Sequence, residues 1–107
     1  MDGRLPLLAE QLLLIERELR ALGWWEHVPP SAQALASTQP FSIDTLSFEQ
    51  WLQWVMLPRM KLLIEAEQPL PTASGIHDMA EEVYRGRERQ VAPLLQALAA
   101  FDRLLSS

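Results

Sequence analysis

Two apolar seams constrain this chain more than any other feature. Leu5, Leu8, Leu12, Ile15, Leu19 and Leu22 repeat at 3,4,3,4,3 spacing. Val91, Leu94, Leu98, Phe101 and Leu105 step 3,4,3,4, with Leu95 and Leu104 widening the face. Spacing of three and four lines up side chains on one face of an α-helix, whereas a strand would alternate every second residue. Neither seam runs long enough for an extended coiled coil, so each reads as a bundle helix. Pro6 is tolerated in a first turn, and Pro93 places the start of the last helix near Val91 or Ala92. Gly23 is positioned to close the first helix with positive φ. Glu16 and Arg20 form an i,i+4 pair on its outer side.

Between the seams, the stretch 46–64 organises the chain. Ser47 is a natural N-cap with Gln50 three residues on, which makes a capping box. Leu46 and Trp51 stand at the positions of a hydrophobic staple, and Glu49 sits where the helix dipole favours negative charge. Phe48, Trp51, Leu52, Val55, Leu62 and Leu63 follow helical spacing on one face, and Trp54, Leu57 and Ile64 widen it. Glu49, Gln53, Lys61 and Glu65 supply the polar strip. Pro58 interrupts the pattern. It lacks an N–H and its ring opposes the carbonyl of Trp54, so the helix is expected to kink or break there. Such a kink presents Arg59 either to a structural ion pair or to an anionic partner.

The run Asp44-Thr45-Leu46, Phe48, Gln50-Trp51-Leu52-Gln53-Trp54-Val55 and Pro58-Arg59-Met60 resembles the YqcC-like family of small bacterial proteins, a domain of unknown function. Pro30-Ser31, Ala36-Ser37, Pro40-Phe41 and Met79-Ala80-Glu81-Glu82 extend the likeness over nearly the whole chain. Ser42 stands where the family pattern has Cys, and Asp78 where it has Pro. The resemblance implies a small all-α bundle. It also implies an association with tRNA modification, because members are often encoded beside a tRNA pseudouridine synthase. It assigns no activity.

A chain of 107 residues with 49% hydrophobic content is one domain with a core. The predicted fold is a single-domain antiparallel bundle of four main helices, at about 5–22, 47–66, 78–86 and 90–105, with a short extra helix at 31–37. Asp78 with Glu81 reads as the capping-box start of the third. The stretch 23–45 is long for a bundle connection, so it is expected to be an ordered strap with Phe41 and Ile43 tucked inward.

The absence of cysteine excludes disulfides, thiolate metal sites and thiol nucleophiles, and it fits a cytoplasmic location. A net charge of −5 opposes direct nucleic-acid binding, which draws on neutralised phosphates. No apolar run is long enough to span a bilayer, and the N-terminus is read as carrying no signal peptide. His27 and His77 have no second histidine at ligand spacing, and no phosphate loop or nucleophile elbow is present. No catalytic, cofactor-binding or metal residue is therefore assigned. The candidate contact residues are Trp24, Trp25, Asp44, Trp51, Trp54 and Arg59. They suit a non-enzymatic module that docks on a protein partner or on itself, with aromatics and one bidentate cation. The alternative is a small-ligand or enzymatic pocket at the 54–59 turn, lined by Trp51, Trp54, Met56, Arg59 and Asp44.

Overall fold

The computed structural model describes residues 3–72 and 74–106. The chain runs α1 (Leu5–Ala21), α2 (Ala32–Leu35), a 3-10 turn (Pro40–Ser42), α3 (Phe48–Trp51), a π-helical turn (Leu52–Met56), α4 (Leu57–Glu65), α5 (Ile76–Val83) and α6 (Ala92–Ser106). No strand occurs among the described residues.

The two seams pack against each other. Leu8, Leu12, Ile15 and Leu19 of α1 are buried, as are Val91, Leu94, Leu98, Phe101 and Leu105 at and along α6. Arg4 donates to the carbonyls of Leu104 and Leu105 at 2.8 and 3.0 Å, so the start of α1 lies beside the end of α6 and the two run antiparallel. Those carbonyls belong to the last turn of α6, which has no helical donor of its own for them. Both α1 and α4 close with the same two-bond cap. Trp24 N–H reaches back to the Leu19 carbonyl and Gly23 N–H to that of Arg20. Gln68 and Glu67 do the same toward Leu63 and Ile64. This cap needs a left-handed residue, supplied by Gly23 at φ 78° and, against its preference, by Glu67 at φ 50°.

The central helix departs from expectation. Its capping box forms as the sequence predicts, with Ser47 Oγ accepting from Gln50 N–H and Gln50 Oε1 accepting from Ser47 N–H. The expected kink or break at Pro58 does not end the helix. The turn before the proline opens by one residue, so that Leu57 N–H donates to the Leu52 carbonyl five residues back. A π turn of this kind inserts one residue into the helix and takes the chain past an awkward position. The insertion rotates every later side chain. Phe48 and Leu52 keep to the buried face as expected, Met56, Leu57 and Met60 continue it, and Leu62, expected in the core, is 66% exposed. Gln53, expected on the polar strip, is only 5% exposed.

Two further corrections concern connections. The third long helix begins at Ile76, not 78, and ends at Val83, so Asp78 lies inside its first turn. Its free N–H groups are satisfied from elsewhere. Asp102 of α6 accepts from His77 N–H at 2.8 Å, Ser74 Oγ accepts from Ile76 N–H at 3.2 Å, and the Ser74 hydroxyl itself bonds Asp102. A carboxylate from α6 therefore replaces the expected local box. In the strap, Phe41 packs against the core, but Ile43 is 62% exposed and Ser42 is buried instead. Consecutive left-handed residues, Phe41 at φ 57° and Ser42 at φ 49°, reverse the chain there and exchange which side chains face inward.

Candidate functional site

The strap between α1 and α3 is held at its start by a polar latch. Gln53, turned inward by the π turn, exchanges two hydrogen bonds with the backbone of Glu26: Glu26 N–H donates to Gln53 Oε1 at 2.9 Å, and Gln53 Nε2 donates to the Glu26 carbonyl at 2.7 Å. The Glu26 carboxylate accepts from Trp54 Nε1 at 3.0 Å and from Gln50 Nε2 at 3.3 Å. Beside it, Trp24 stacks on Tyr84 with ring centroids 5.5 Å apart, and the Arg20 guanidinium lies 4.5 Å above the Trp25 ring. Tyr84 is fully buried and donates its hydroxyl to Glu49 Oε1 at 2.7 Å. Burial, reinforced by that carboxylate, pushes the Tyr84 hydroxyl well above the usual phenol range. No buried side-chain polar atom among the described residues lacks a partner.

A groove opens on another side of the central helix. Its volume is about 370 Å³, within the range of ligand clefts. Pro40 and Phe41 of the strap form one wall, Trp51, Met56 and Met60 another, and Ile76, Phe101 and Leu105 lie along it. Phe41 meets Trp51 edge-on at 4.9 Å, and Phe48 stacks on Trp51 at 5.9 Å. Arg59 is the charged residue of the lining. It is exposed, and it makes no ion pair or side-chain hydrogen bond among the described residues.

The six candidate residues therefore divide among three places. Trp51 and Arg59 share the groove. Trp24 and Trp25, both half-buried, and Trp54 belong to the latch. Asp44 accepts from the Ser37 hydroxyl at 2.6 Å, inside the strap, next to the bond from Thr45 Oγ1 to the Ala34 carbonyl. Sequence reasoning missed Glu26 and Gln53. The available signal was a glutamine between Leu52 and Trp54, a polar side chain within an apolar run. At α5, His77 Nδ1 lies 3.6 Å from Glu81 Oε1 and 4.0 Å from Asp78 Oδ1. Both carboxylates are well exposed, as in ordinary surface ion pairs.

Among the described residues, no helix is long and apolar enough to cross a membrane. Comparison with known proteins places the fold in a family. A family model described as "DUF446: tRNA pseudouridine synthase C" matches residues 7–104. An uncharacterized protein of Haemophilus influenzae is 37% identical over 98 residues, covering 92% of each chain. A tRNA pseudouridine synthase C of Pectobacterium carotovorum is 42% identical over 81 residues, which make up 76% of this chain and 22% of that protein. The solution NMR structure of protein YqcC from E. coli is similar with a TM-score of 0.87 and 33% identity, over 99% of this chain and 91% of that one. Matched along nearly its full length in sequence and in fold, the chain belongs to the YqcC-like family, DUF446.

Proposed function

We propose that this chain is a non-enzymatic accessory module that docks on tRNA pseudouridine synthase C in the cytoplasm. The observation that carries this reading is the Pectobacterium protein, in which a segment similar to this chain accounts for 22% of a polypeptide bearing the synthase's name. Two units on one chain meet at a high effective concentration, and a contact useful in that arrangement is also useful between separate chains. The charge balance supports the same reading. An enzyme that handles tRNA presents a basic surface to phosphates, and a chain of net charge −5 complements such a surface. The buried chemistry supports a structural interior: Tyr84 is held neutral, and Gln53 is spent on backbone.

The test is titration of the purified chain into purified synthase from the same organism, followed by calorimetry at two salt concentrations. The expected result is a one-to-one complex that weakens as salt rises, with no pseudouridine formed by the chain alone. Absence of a complex at tens of micromolar, with active synthase, overturns the reading. A second reading, a small-ligand site at the 54–59 turn, is favoured by the volume of the groove. The same titration separates it, because a protein whose groove serves only a small ligand forms no complex with the synthase.

A further inference from the structure

Resting on the docking reading above, we infer that the groove around Arg59 is the surface that receives the synthase, and that it takes a segment presenting a bulky apolar side chain beside a carboxylate.

The lining sets this chemistry. Phe41, Trp51, Met56, Met60 and Phe101 offer a soft apolar cleft, with methionines able to adapt to an irregular guest. Arg59 stands in that lining as its charged group. Arg20, Lys61 and Arg85 each lie within 4.0 Å of a carboxylate of the same chain, whereas Arg59 has none among the described residues. A guanidinium at the edge of apolar walls can match a carboxylate in two parallel hydrogen bonds, and an apolar side chain seated beside it would displace water from that pair. Arg89 and Arg103 also lack an ion pair among the described residues, but of these three Arg59 alone lines the apolar groove, so there the acidic surface steers the approach and Arg59 accepts one particular acidic group.

The backbone gives a second, independent argument. Phe41 and Ser42 both occupy the left-handed region, at φ 57° and 49°, which is unfavourable for a non-glycine residue. The π turn, another irregular element of the fold, supplies Met56 to the same cleft. Irregular backbone thus contributes two of the groove's lining residues, Phe41 and Met56. The ring cluster of Phe41, Phe48 and Trp51 also holds its walls in place before any guest arrives, so little order is lost on binding.

The experiment uses the full chain and the purified synthase. Dissociation constants are measured for the wild type, Arg59→Ala and Arg59→Lys, and backbone amide shifts are followed in the labelled chain. Arg59→Ala is expected to bind about tenfold more weakly, with Arg59→Lys recovering part of the loss. Shifts are expected at Phe41, Arg59, Ile76 and Phe101. N-acetyltryptophan at millimolar concentration is expected to displace the synthase, and N-acetyltryptophanamide, which lacks the carboxylate, is not. Equal displacement by both probes overturns the carboxylate assignment. Tight binding with Arg59 variants unchanged and shifts confined to the face around Trp24 and Trp25 overturns the groove and leaves the docking reading standing. No binding by the wild type overturns both. A dimer of the chain alone that Arg59→Ala dissolves gives the groove to a second copy, and likewise overturns the assignment.

Discussion

The latch around Glu26 and the groove around Arg59 lie on the same central helix and use the same residue types, yet they are finished differently. At the latch the buried polar groups are answered: Gln53 by the Glu26 backbone, the Glu26 carboxylate by Trp54 and Gln50, the Tyr84 hydroxyl by Glu49. At the groove the cation has no counter-ion among the described residues, and the walls are apolar. An aromatic-rich region whose buried polar groups are all paired is architecture. One with an unanswered cation has something left to bind. Aromatic content alone does not separate the two, since Trp24, Trp25 and Trp54 fall on one side and Trp51 on the other.

This contrast predicts an order of effects. Gln53→Ala should cost the most, about 3 kcal/mol in a urea melt, because it removes two hydrogen bonds and strands backbone groups of Glu26. A loss below about 1 kcal/mol would mean that the aromatic contacts of Trp24 hold the strap without the latch. Tyr84→Phe should cost about 1–1.5 kcal/mol at neutral pH. It should also change the alkaline limb. The folded state raises the Tyr84 pKa, so the unfolded chain gives up its proton first. The stability from Tyr84 is thus complete below the ordinary phenol value of about 10 and declines as pH climbs beyond it. Melts between neutral pH and pH 11 should show that decline in the wild type and a shallower one in the phenylalanine variant.

Pro58→Ala should move stability by less than about 1 kcal/mol. The π turn should persist, because buried Leu57 and Met60 after it and Gln53 within it all depend on the inserted residue. Amide exchange that shows an ordinary α-helical pattern through 52–58 would show instead that the proline imposes the turn. Arg59→Ala should have the smallest effect on folding, within about 0.5 kcal/mol, since the side chain is exposed and unpaired among the described residues. A large loss there would move Arg59 from the binding side of the comparison to the structural side.

What could be read from the sequence was whatever is encoded within one or two helical turns. The seams of α1 and α6, the Ser47–Gln50 box and the Gly23 cap depend on neighbours three to five residues away, and all of them form. The misreadings share a different cause. Leu62 sits on the wrong face because the period was continued through an inserted residue. The start of α5 is fixed by Asp102, 25 residues from the N–H it accepts. Gln53 is buried by a partner 27 positions earlier, which no local pattern can announce. The candidate site was legible in the same proportion. The proline and its arginine marked the right turn of the helix, but the opposite wall is built by Phe41 in a conformation that a phenylalanine rarely adopts.

The exchange between Gln53 and Glu26 also settles which position stores the information for the strap's path. Gln53 recognises a main-chain N–H and C=O, which nearly every residue type carries, so this pair places no demand on the side chain at 26 beyond its not being proline. The demand on 53 is strict. Glutamic acid offers no donor, asparagine is one carbon short, and methionine fills the volume without either bond. In a library of variants scored for folding, position 53 should tolerate almost nothing. Position 26 should fall in two tiers: glutamine close to glutamate, because its side-chain oxygen still accepts from Trp54, and small residues lower by the bonds from Trp54 and Gln50, with the strap in place.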